Sequence, residues 1–156
     1  MIKHIKCNIF ESDADVILHQ VNCQGVMGSG VARQMREKYP RVFARYKEFC
    51  DKYVDDKSFL LGLAQCVNIG DNRYAVNLFA QENFGYDGKC YTNYKALQKC
   101  LESVRNYTFF EGKTIAIPYL MGCYRGGGNW DVVYQMIEDI FGNSNMDVLI
   151  CEYNGG

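Results

Sequence analysis

The sequence predicts a layered α/β fold around a mixed sheet, on three observations. Short apolar runs rich in β-branched residues alternate with longer segments of helical period. Two of those runs, "LLGLAQCVNI" and "RYAVNLFA", are parted only by the turn "GDN", so at least one strand pair is antiparallel. Two glycine-rich stretches, from Gly25 to Ala32 and from Gly122 to Gly128, each lie between an apolar strand and the start of a helix.

Taken in order, "IKHIKCNI" and "DVILHQV" are expected strands. Val31, Met35 and Tyr39 fall on one helical stripe, Pro40 resets the chain at a first-turn position, and Phe43, Tyr46, Phe49 and Tyr53 repeat the pattern in a second helix. After the antiparallel pair, Tyr94, Leu97, Leu101 and Val104 make the next helical face, and "KTIAIPY" reads as a short buried strand. Asn129 can cap a helix carrying Val133, Met136, Ile137 and Ile140, and "MDVLICEY" closes the domain as a last strand. No linker, low-complexity tract or repeat interrupts this, so one domain covers residues 1–156, with a frayed tail "NGG".

At 156 residues, with 48% apolar and 22% charged residues, the chain can bury one sizeable core. A net charge of −1 gives no global field toward nucleic acid or an anionic membrane. No apolar run is long enough to span a bilayer, and the first ten residues lack the pattern of a signal peptide, so a soluble, cytoplasmic protein is expected. The eight cysteines are spread evenly with no CxxC pair, and there are only two histidines, which does not make a zinc site. Most of these thiols lie in apolar segments and are expected to be free, small buried hydrophobes.

Glycines between a strand and a helix permit positive φ and let backbone N–H groups approach a ligand, while the helix start adds unpaired donors and partial positive charge. One such loop can be a tight turn and nothing more. Two loops at the C-terminal ends of adjacent strands would face one crevice and suit a diphosphate. "GVMGSG" spaces its glycines as GxxGxG, the reverse of the dinucleotide fingerprint, and no acidic strand end follows about 20 residues later. A Rossmann NAD site is therefore disfavoured, as is a P-loop, which needs GK[ST].

The runs "NCQGVMGSGVARQMREKYP", "NLFAQENFGYDGKCYTNYKALQKCL" and "IAIPYLMGCYRGGGNWDVV", in that order, resemble the macrodomain family, in particular its branch that processes ADP-ribose-1″-phosphate. The resemblance extends from about Ile2 to Tyr153. It implies a three-layer α/β/α domain with a mixed sheet and a cleft for ADP-ribose or ADP-ribose-1″-phosphate; nothing in the sequence calls for a metal or cofactor. It also implies that Gly28, Ser29, Gly30 and Val31, with Gly122, Cys123, Tyr124, Arg125 and Gly126, clasp the diphosphate and terminal ribose.

Within that resemblance Asn22 is expected to hold the terminal ribose, since an amide both donates to and accepts from hydroxyls; alternatively it satisfies nearby backbone in a turn. Asn8 replaces the family's adenine-binding aspartate, leaving adenine recognition to an uncharged carbonyl and to the backbone of Ile9. Tyr153 either stacks near the adenine or covers the core. His19, three residues before Asn22, matches a histidine of the phosphate-processing branch and would orient water or protonate a leaving oxygen; the alternative is a packing histidine. Arg125 contacts phosphate or is a solvated loop-tip charge, and Trp130 anchors the last helix.

Relatives that remove ADP-ribose from protein or nucleic acid use a lysine after the "NLF"-type strand and an acid in the second loop. Here Gln81 and Gly126 stand in those places, so that lysine-based chemistry is not supported. Glu82, Asn83 and Asp87 lie on a loop placed to overhang the cleft, with Asp87 also readable as a turn residue before Gly88. The expected activity is hydrolysis of ADP-ribose-1″-phosphate, with His19 and Asn22 at the reacting end. The alternatives are a non-catalytic ADP-ribose reader and a hydrolase that acts on ADP-ribosylated protein or nucleic acid.

Overall fold

The apolar run Val16–Asn22 forms a strand, β2, covered on both faces, as expected where helices pack on either side of a mainly parallel sheet. The computed structural model describes residues 1–53 and 55–153, so the tail Asn154–Gly156 lies outside the described residues. The other strands are β1 (Ile2–Lys6), β3 (Ala64–Gly70), β4 (Arg73–Gln81), β5 (Thr114–Pro118) and β6 (Asp147–Glu152). The helices are α1 (Gly30–Lys38), α2 (Pro40–Asp51), α3 (Tyr94–Asn106) and α4 (Trp130–Phe141).

Sheet order is β1-β6-β5-β2-β4-β3, with every neighbouring pair parallel except β3 and β4. The hairpin between those two turns at Asp71 and Asn72, both at positive φ (53° and 58°), the geometry that matches the right-handed twist of paired strands.

Side chains alternating along the strands divide the interior into two cores. Ile17, Val21, Ala75, Phe79 and Ala116 meet Met35, Val42, Tyr46 and Cys50 from α1 and α2. Leu18, Val76, Leu78, Ile115, Ile117, Val148 and Ile150 meet Leu97, Leu101 and Val104 of α3 and Val133, Ile137 and Phe141 of α4. The architecture is the expected three-layer α/β/α sandwich with a mixed sheet. No helix among the described residues is long and apolar enough to cross a membrane.

Local signals set several boundaries. Pro40 occupies the first turn of α2, and Asn129 Oδ1 accepts from Asp131 N (2.8 Å) to cap α4. Trp130 packs edge-on against Tyr119 at 5.2 Å and anchors that helix, while Met136 and Ile140 are only partly buried.

Four expectations need correction. The first strand ends at Lys6 rather than running to Ile9, because Asn8 Oδ1 accepts from Phe10 N and starts a 3₁₀ turn over Ile9–Glu11. The strand expected from Leu60 begins at Ala64, because Leu60 ends a 3₁₀ turn and Gly62 follows at φ 90°. Tyr39 and Tyr53 lie between and beyond the helices rather than within them. Of the eight free cysteines only Cys23, Cys50, Cys100 and Cys151 are buried; Cys66 is on the edge strand and Cys90 on a loop, both exposed.

Leu97 is fully buried between α3 and the sheet. Leu97→Ala is expected to lower the unfolding free energy by about 2–5 kcal/mol through lost burial and a residual cavity, read from urea denaturation.

Candidate functional site

Strands β2 and β5 are neighbours, paired at Val16↔Ile115 and Ile17↔Ala116 only. Beyond that seam they part, and the loops following them flank one cleft of about 740 Å³ at the strands' C-terminal ends. Of the residues expected around a ligand, Asn8, Ile9, His19, Asn22, Gly28, Ser29, Gly30, Val31, Gly122, Tyr124, Arg125, Gly126 and Tyr153 all line it. Cys123 does not: it packs against the α3/α4 core with Sγ toward Met121 O (3.5 Å), and burial pushes its thiol up to about 11. That placement argues against a nucleophile.

The first loop is held from beneath by a side chain that the helical stripe identified only as core. Tyr46 is fully buried, and its hydroxyl accepts from Gly25 N (3.2 Å) and Val26 N (3.1 Å) while lying 2.7 Å from Asn22 O and 2.8 Å from Asn22 Oδ1. A buried tyrosine needs such partners, which was the available signal. Asn22 Oδ1 also accepts from Gln24 N (2.9 Å), and its Nδ2 donates to Val26 O (2.8 Å). The carbonyl of Asn22 is thus fully engaged in shaping the loop, and one amide hydrogen is left for a ligand.

Gly25 and Gly30 take positive φ (80° and 59°), which turns the chain into α1. Ser29 caps that helix in extended conformation but makes no side-chain capping bond, so the first-turn amides open onto the cleft without a competing hydroxyl.

The second loop turns its carbonyls inward. Gly122 O accepts from Thr92 Oγ1 (2.6 Å) and Gly128 N (2.9 Å), and Gly126 O accepts from Tyr91 N (2.6 Å) and Thr92 N (3.0 Å). Among the described residues the amides of Tyr124, Arg125 and Gly126 make no hydrogen bond, so they can meet an anion. Leu120, at the entrance, holds φ 64°, an uncommon conformation for a branched residue, between the turn bonds Met121 N to Pro118 O and Cys123 N to Leu120 O. Gln20 braces the loop from β2, donating to Gln81 Oε1 and Thr92 Oγ1, each at 2.8 Å.

The segment after β4 overhangs the cleft, but through Phe84, Gly85 and Tyr86 rather than its acids. Asp87 stays outside, accepting from Tyr91 OH (2.9 Å) and Lys89 N (3.2 Å), as its turn reading anticipates; those two bonds hold its carboxyl below the usual range. The Arg125 guanidinium lies 4.8 Å from the Tyr86 ring and 5.2 Å from Tyr124, tying the two rims together. At the opposite end Tyr153 is 54% exposed, leaving its ring face available rather than committed to the core. Asn8 Oδ1 is partly engaged by Phe10 N (3.0 Å).

His19 is 1% exposed and bonds through Nε2 to Asn77 Oδ1. Burial holds its imidazole down at about 4, against the opposing pull of that bond. The ring is therefore neutral at physiological pH, which weighs against the expected proton-donating role.

No family model matches the chain. It is 24% identical over 159 residues to a DNA ADP-ribosyl glycohydrolase of Mycobacterium tuberculosis, an alignment covering 100% of this chain and 43% of the relative. It is 35% identical over 68 residues to an ADP-ribose 1″-phosphate phosphatase of Debaryomyces hansenii, covering 40% of this chain and 38% of the relative. The chain therefore spans about two fifths of the length of these curated relatives. Among solved structures, the macrodomain of M. tuberculosis DarG superposes with TM-score 0.79 at 23% identity, covering 97% of both chains. Thermosipho africanus DarTG in complex with ADP-ribose superposes with TM-score 0.77 at 19% identity, covering 97% of this chain and 41% of that one.

Two outcomes test this geometry. A Cβ on Gly126 would collide with Thr92 Oγ1 and come within 2.6 Å of Gly122 O, so Gly126→Ala is expected to displace the second loop and weaken nucleotide binding by calorimetry. Between pH 6.5 and about 4 the unfolded chain binds a proton at residue 19 that the folded protein refuses. Stability from this group is complete above pH 6.5 and falls as pH drops through that window, by on the order of 3 kcal/mol. His19→Gln should remove that part of the slope in urea midpoints compared at neutral and mildly acidic pH.

Proposed function

We propose that this chain is a macrodomain, a reading supported by its whole-length alignment and by its fold, and that it holds ADP-ribose or a close derivative in the cleft and hydrolyses ADP-ribose-1″-phosphate to ADP-ribose and phosphate. The observation that carries this is the convergence of both glycine loops on one cleft of about 740 Å³, within the range of small-molecule sites. First-turn amides of α1 and the free amides of the second loop bind the diphosphate from two sides. The remaining Asn22 amide hydrogen fixes a hydroxyl of the terminal ribose. His19 Nδ1 accepts from the attacking water, whose oxygen bonds to phosphorus as the bond to the 1″-oxygen breaks; the electron pair leaves on that oxygen, which ends protonated.

The decisive measurement is phosphate release from ADP-ribose-1″-phosphate by wild type, Asn22→Ala and His19→Ala. His19→Ala is expected to lower kcat by about 100-fold or more, with binding of ADP-ribose retained. Unchanged turnover removes His19 from the mechanism. Tight binding of ADP-ribose with no phosphate release in the wild type would instead make the chain a reader.

A second reading is favoured by one observation: the glycohydrolase alignment covers the whole chain, the phosphatase alignment less than half of it. Incubation with ADP-ribosylated DNA or protein and measurement of label loss tests it. Gln81 and Gly126, in place of the expected lysine and acid, weigh against this activity.

A further inference from the structure

A line of polar side chains runs across three strands to His19, and its direction is set at the far end. Gln65 pairs with Asn77 in the β3/β4 register, and Asn77 pairs with His19 in the β2/β4 register, so backbone ladders alone bring the three side chains abreast. The amide of Gln65 donates through Nε2 to the backbone carbonyl of Arg45 on α2 (3.1 Å). A carbonyl can only accept, which fixes Gln65 with Oε1 facing inward, where it accepts from Asn77 Nδ2 (3.0 Å). Asn77 must then present Oδ1 to His19, so Nε2 of the imidazole carries the hydrogen. His19 Nδ1 is left as a bare acceptor, buried and without a partner among the described residues, in a residue that lines the cleft.

We propose that Gln65 and Asn77 are positioning residues that deliver His19 to the cleft in the Nε2–H tautomer, with Nδ1 as an acceptor for a water or sugar hydroxyl. Its use in turnover rests on the reading of the cleft given above; the tautomer does not. Reversing any one link would leave two donors or two acceptors facing each other, which a line ending in two buried side chains tolerates poorly. Neither Gln65 nor Asn77 lines the cleft, so both act only through the ring.

Gln65 is half-exposed on the edge strand, so its substitutions are compatible with folding. Gln65→Glu can only accept and keeps the polarity, whereas Gln65→Lys can only donate and turns Asn77 around. Nitrogen-15 NMR of the imidazole reads the tautomer directly, with no ligand needed. Expected are the Nε2–H form in wild type and Gln65→Glu, and a shift toward Nδ1–H in Gln65→Lys. In the phosphate-release assay Gln65→Lys should lower kcat in proportion to the Nε2–H fraction remaining, about tenfold when one molecule in ten retains it, with KM unchanged.

An Nδ1–H ring in the wild type, or one tautomer in both variants, overturns the proposal. So does a reversed tautomer with unchanged kcat. Absence of any phosphate release by the wild type would sink the functional reading and leave the tautomer result to decide this one.

Discussion

The site depends on how briefly β2 and β5 stay together. They share two register pairs, and then β5 reaches Pro118, which has no N–H to offer β2, while it continues beside β6 through Pro118↔Cys151. A sheet that zipped further would have no crevice there. Because it does not, the chain leaves each strand on a loop that borders the opening, and the helix starts that follow supply donors to it. Ligand sites in open α/β sheets form where neighbouring strands lead their connections apart, and here the parting is written into one imino acid.

Around that opening the protein spends its side chains on holding main chain. Tyr46 gathers two amides and the Asn22 amide group under the first loop, and Thr92, braced by Gln20, holds the Gly122 carbonyl of the second. Groups that a sequence reading assigns to the ligand turn out to shape the loop that meets it, Asn22 most clearly. A rigid arrangement of amides costs little to reorganise when a charged molecule arrives, which is what anion recognition requires.

The layers were legible in the sequence because most elements agree with their local signals: an apolar run in β4, a helical stripe through Leu97, Leu101 and Val104, Pro40 and Asn129 at helix starts. The glycine spacing likewise marked both loops. What could not be read was anything that depends on strand register. Gln65, Asn77 and His19 are 12 and 58 residues apart, and nothing in their neighbours says that the ladders bring them together. The aromatic rim at Phe84 and Tyr86 escaped for another reason: a loop between a strand and a helix has no period, so its acids drew attention before its rings. The cysteines show a third limit, since an apolar neighbourhood in sequence does not tell an edge strand from a central one.

Leu120 holds a backbone conformation that a glycine would adopt freely, at the mouth of the second loop. A branched residue there narrows the set of shapes open to the segment, and the fold carries on the order of 1–3 kcal/mol of local cost for it. The chain accordingly gives up some sturdiness at this corner in return for a loop that arrives already shaped. Variants selected only for heat resistance would be drawn to relax this position, and with it the readiness of the cleft.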